Sequence, residues 1–166
     1  MGEPIVEWLN QQQDNMVELL RDLVDIDSNS FDKAGVDRVG ARLTAFFDDN
    51  EIPHETIPLE EYGDAIKTVV SGGDGNQPIL LCGHRDTVFP TGEVEKRPFS
   101  IADGKAFGPG VADMKPGLVI NAFILAAFHK FGGHPNPLVG LFTGDEEIGS
   151  PASQDVITAE AEKARL

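Results

Sequence analysis

Two short apolar runs, PILLCG at 78–83 and LVGLFT at 138–143, flank a longer one, PGLVINAFILAAFHKF at 116–131. The outer runs have strand length. The middle run reads as a buried helix, with Val119, Phe123, Ala126 and Ala127 on one side and apolar residues over much of the rest. A strand, helix, strand order is a crossover, which lays the two strands parallel in one sheet with the helix packed against them. The expected fold class is therefore α/β, with a mixed, partly parallel sheet flanked by helices.

The remaining segments fit around this unit. Pro4 and the apolar residues Ile5, Leu9, Met16, Leu19, Leu20 and Leu23 predict an amphipathic helix from about Glu3 to Val24. Val36, Val39, Leu43, Phe46 and Phe47 predict a second, from about Lys33 to Asn50. EIPHETI is a weak strand, and IKTVV leads to PILLCG through SGGDGNQ, whose glycines, Asp and Asn favour a tight antiparallel reversal. FSIADGKAF predicts a small hairpin turning at Asp103 and Gly104. SPASQDVITAEAEKA predicts a last helix, capped by Ser150 with Pro151 at its first position.

At 166 residues the chain suits one domain. Its 28 acidic and 13 basic residues give a formal charge of −15, which argues against nucleic acid or an anionic membrane as partner, because phosphates repel it. Cys82 is the single cysteine, so no internal disulfide forms; it lies in an apolar run as an expected small core residue. No basic leader opens the chain, and no run approaches the ~20 apolar residues of a membrane span. These features lead to an expectation of a cytoplasmic protein.

Ligands of parallel sheets collect beyond the C-terminal ends of the strands. His84 and Asp86 leave the end of PILLCG, Asp145, Glu146 and Glu147 leave the end of LVGLFT, and Asp113 sits just before the intervening helix. Three separated stretches should thus converge on one sheet edge. An imidazole with several carboxylates suits zinc, and also manganese or cobalt. Of the adjacent Glu146 and Glu147, one could bind metal while the other moves protons. Asp86, two residues after His84, would share its side of an extended chain and could orient the imidazole. Each element also has a plainer reading: a polar loop for His84 and Asp86, a helix cap for Asp113, and solvated acids at a helix N-terminus for 145–147. Lys115 is read as a solvent-facing lysine or a charge partner of Asp113. His129 and His134 fall at the opposite end of the sheet and His54 in an early surface segment, so none is expected to be a ligand.

The stretches GHRDTVFP, GPGVADMKPG and TGDEEIGS, in this order and at these separations, resemble the di-zinc metallopeptidase family that includes glutamate carboxypeptidase, acetylornithine deacetylase, succinyl-diaminopimelate desuccinylase and aminoacylase. The resemblance implies that His84 ligates one zinc, Asp113 bridges both and Glu147 ligates the other, with Glu146 as general base and Asp86 orienting His84. Cobalt or manganese could replace zinc. The implied reaction is amide hydrolysis by a metal-bridging water whose proton passes to Glu146 and then to the leaving amine. The segment between the first two stretches looks most like the glutamate carboxypeptidase branch, since the deacetylase branch tends to carry a Trp there and the only one here is Trp8. The implied substrate is a small peptide or N-acyl amino acid with a free carboxylate; deacylation of the acetylornithine or succinyl-diaminopimelate type is the alternative.

In that family a further carboxylate ligand, a second histidine ligand and a lid and dimerisation domain come later in the chain, whereas 19 residues follow Glu147 here. Residues 1–166 are therefore expected to be the N-terminal half of a catalytic domain, with the lid domain and C-terminal catalytic segment absent. The same reasoning predicts weak metal binding and little hydrolysis by the chain alone, self-association through uncovered surfaces, and a homodimer at full length. A non-catalytic binding or assembly domain of the same fold is the competing expectation.

Overall fold

The structure, a computed structural model, describes residues 2–74 and 77–164. Strands β1 (His54–Ile57), β2 (Ala65–Val70), β3 (Ile79–His84) and β6 (Leu138–Thr143) form one sheet in the order β1-β2-β6-β3. β4 (Ser100–Ala102) and β5 (Lys105–Phe107) form a separate hairpin after the short helix α4 (Glu93–Lys96). β3 and β6 are parallel, joined through helix α5 (Lys115–Lys130), while β1, β2 and β6 pair antiparallel. This is the mixed α/β sheet that the crossover implied.

Alternation along the strands decides what the sheet buries. Ile66 and Val70 of β2 and Leu138 and Phe142 of β6 share one core with Leu118, Ala122, Phe123 and Leu125 of α5. Helices α2 (Gln13–Val24) and α3 (Lys33–Asp49) complete that core through Leu19, Leu23, Val39, Leu43, Phe46 and Phe47. β6 is buried along its whole length.

Four sequence expectations change. The anticipated β2–β3 hairpin does not form, because β6 lies between the two strands. A central strand needs both faces covered, and β6 meets that need better than β3, which takes an edge. The glycine-rich link supplies reach across two strand spacings, about 10 Å, and Gly72 bridges to His134 on the approach to β6. The helix expected from Glu3 to Val24 is broken into α1 (Gly2–Asn10) and α2, where Gln11 and Gln12 turn back onto the carbonyls of Trp8 and Leu9. Cys82, on the edge strand, is exposed and not a core residue. The last helix, α6 (Gln154–Ala161), starts later than Ser150; Ser150 has a left-handed φ of 56°, and the Asp145 carboxylate takes the N–H groups of Ala152 and Ser153. The hairpin at Asp103 and Gly104 forms as read, both residues having positive φ.

α6 is tied to the sheet by the Glu160 carboxylate, which accepts from Lys67 of β2 at 2.9 Å and from Lys163 at 2.8 Å. Burial raises the pKa of Glu160, but the two lysines outweigh it and the net shift is downward. A depressed folded pKa gives stability that is present above the unfolded value, about 4.3, and is lost as pH falls through the folded one. Glu160→Gln is therefore expected to lower Tm at neutral pH, by an effect worth about 1 kcal/mol, and to converge with wild type in acid. A thermal melt series over pH checks it; a pH-independent difference would show that the ion pair contributes nothing.

Candidate metal centre

His84 pairs with Thr143 in the parallel register, so β3 and β6 end level and their loops leave from one edge. α5 starts at the same edge, where the His84 N–H donates to the Met114 sulfur at 3.3 Å. Asp113 precedes that residue, and the Asp113–Met114 peptide bond is cis. His84 Nε2 lies 3.1 Å from Asp113 Oδ1 and 3.6 Å from Glu146 Oε2. One ligand atom each from His84, Asp113 and Glu147 lies within 4.8 Å of the others. Asp113 is not the cap of α5: Met114 holds that position, without a side-chain cap.

Asp86 is completely buried and does more than face the imidazole. His84 Nδ1 lies 3.0 Å from its carbonyl and 3.3 Å from its carboxylate. The same carboxylate accepts from Ser30 Oγ at 2.7 Å and from the N–H groups of Glu146 at 3.2 Å and Glu147 at 3.1 Å. Asp86 thereby joins the loop after β3 to the loop after β6. Burial disfavours its charge, but these partners, His84 foremost, hold its pKa below the usual carboxylate range. Burial also works against a charged His84, yet Asp86 and Asp113 raise that ring to about 9. Glu147 is shifted upward, by burial and by repulsion from Asp113, Asp86 and Glu146, with His84 opposing.

These residues fit a divalent cation. Two donors that each lie 2.0–2.2 Å from a zinc are at most about 4.4 Å apart, so the three donors need to close only slightly. Asp113, exposed at 76% of its side chain, is free to make that shift. A positive charge at this point would also relieve the repulsion felt by Glu147.

Around the cluster lie groups that the sequence reading did not assign. Arg85, between His84 and Asp86, is 1% exposed, and burial pushes its guanidinium down to about 10 against the pull of Asp37, Asp64, Asp86 and Asp145. Lys115 is not solvent-facing: it is buried, donates to the Ile26 carbonyl at 2.8 Å, and is pushed down to about 8 by that burial despite Asp27 and Asp25. Asp145 is buried as a structural acceptor for the loop before α6. His54 and His134 bond to the carbonyls of Ile52 and Asn136, away from the cluster, and His129 is in the last turn of α5. No helix among the described residues is long and apolar enough to cross a membrane.

Residues 80–166 match the sequence profile of Peptidase family M20/M25/M40, a span that contains the three stretches carrying His84, Asp113 and Glu147. The chain belongs to this family. Among its M20 relatives, carboxypeptidase G2 of Pseudomonas sp. is 31% identical over 157 residues, which cover 92% of this chain and 37% of the relative. Acetylornithine deacetylase of Salmonella arizonae is 34% identical over 140 residues, covering 79% of this chain and 36% of that protein. The fold is that of human carnosine dipeptidase 1, with a TM-score of 0.80 at 18% identity over 97% of this chain and 38% of that one. The M20 chain thus spans little more than a third of the length of the proteins it matches.

Proposed function

We propose that this chain forms one side of the active site of a metal-dependent amide hydrolase. His84, Asp113 and Glu147 would hold the metal. The observation that carries the reading is the meeting of those three donors within 4.8 Å at one sheet edge, with the Glu146 carboxylate beside them. Zinc is the ion proposed; cobalt or manganese suits the same nitrogen and oxygen donors. A bound cation supplies a Lewis acid that polarises the scissile carbonyl and acidifies water. Glu146 takes the proton of the attacking water and passes it to the leaving amine. Asp86, holding the Nδ1 side of His84, keeps Nε2 directed at Asp113.

The proposed substrate is a peptide or N-acyl amino acid with a free carboxylate, cleaved as by a carboxypeptidase. The carboxypeptidase G2 match along 92% of the chain supports this over acetylornithine-type deacylation. So does the position of the sole Trp, Trp8, in α1 and away from the segment joining His84 to Asp113. Activity, substrate and homodimeric assembly are proposed for a protein of the relatives' full length, in which this chain is the N-terminal part of the catalytic domain. The test is a Co²⁺ titration followed by visible absorption. His84→Ala should weaken binding by well over about 10-fold with circular dichroism unchanged; equal binding by the two proteins would remove His84 from the ligand set.

A further inference from the structure

We propose that Arg85 is a positioning residue that sets the spacing between the His84 arm and the Glu146–Glu147 arm of the metal centre. The inference rests on the proposed function for what those arms do, and on its own geometry for how they are held. Arg85 lies between His84 and Asp86, and alternation turns its side chain to the opposite face, into the core under α3. There Nε donates to the Thr143 carbonyl at 3.3 Å, Nη1 to the Val36 carbonyl at 3.1 Å, and Nη2 to the Asp64 carbonyl. The Arg85 backbone N–H donates to the same Thr143 carbonyl at 2.9 Å. One residue therefore grips the last position of β6 twice and ties it to α3 and to the chain entering β2.

The grip acts on the site because Thr143 leads directly into Gly144, Asp145, Glu146 and Glu147. The two acids that fix this loop, Asp86 and Asp145, are both wholly buried and both among the carboxylates whose charge Arg85 faces. The planar guanidinium reaches three carbonyls lying in different directions, which the single ammonium of lysine does not reproduce. Gly40 of α3 makes the space: a Cβ there would come within 2.1 Å of Arg85 Nη1. Alanine favours a helix over glycine, so Gly40→Ala displaces the guanidinium without removing its charge or weakening α3.

The experiment compares wild type, Arg85→Lys and Gly40→Ala in a protein of the relatives' full length carrying this sequence, by Co²⁺ titration with visible spectra, alongside urea unfolding. Both variants are expected to stay folded, to bind Co²⁺ about 10- to 100-fold more weakly, and to show displaced ligand-field bands. A merely structural role would lower the unfolding midpoint and leave the affinity and spectrum of the folded protein as in wild type, which overturns the inference while the metal centre stands. If wild type itself binds no Co²⁺, the metal-centre reading falls and takes the inference with it. Should Arg85→Lys fail to fold, Gly40→Ala decides the question alone.

Discussion

Glu146→Gln is expected to cut amide hydrolysis by about 10²- to 10⁴-fold while leaving cation affinity and stability near wild type. The Glu146 side chain is 57% exposed at the rim, so an isosteric amide disturbs little packing. Its backbone N–H still donates to Asp86, which keeps the loop in place. What the amide loses is the ability to accept and return a proton. The measurement is kcat in a protein of the relatives' full length carrying this sequence, with Co²⁺ affinity read in parallel. Loss of turnover with affinity retained supports the general-base role. If affinity falls with turnover, Glu146 is a ligand; if neither changes, proton transfer belongs to another group.

The meeting of His84, Asp113 and Glu147 at one sheet edge was legible in the sequence because strand ends are legible. PILLCG and LVGLFT end in level register, His84 opposite Thr143, so residues just past each run had to meet. Arg85 and Lys115 were missed for a common reason. Burial of a cation depends on what packs over it, here α3 with its Gly40 and the Ile26 carbonyl, and neither is near in sequence. The signal that existed for Arg85 was parity: a residue between two that face the site must face the core. Ser30, bonded to Asp86 across 56 positions, left no such trace.

The fold errors have a similar origin. The SGGDGNQ segment has the composition of a hairpin turn, and local composition cannot show that a later, more apolar strand will enter between β2 and β3. Ser150 and Pro151 carried ordinary helix-start chemistry, yet Asp145, fixed by β6, takes the amides of Ala152 and Ser153 and moves the helix start to Gln154. In both places a distant strand overrode a correct local preference.

Asp86→Asn is expected to damage stability and metal affinity together, because this carboxylate holds both arms of the site. It accepts from Ser30 Oγ and from the N–H groups of Glu146 and Glu147, and it balances the charges of His84 and Arg85. An asparagine keeps the shape but turns one acceptor into an NH₂ donor, which must face another donor in a site without solvent. Loss of a buried ionic acceptor of this kind costs about 3 kcal/mol, and the freed imidazole weakens cation binding by about 10- to 100-fold. Urea unfolding and Co²⁺ titration of the same preparation read the two effects. A drop in affinity alone would reduce Asp86 to orienting His84. A drop in stability alone would mean that the loop carrying Glu146 and Glu147 is held mainly by Arg85 and Asp145, and that the His84 ring keeps its aim through the Asp86 carbonyl, 3.0 Å from Nδ1.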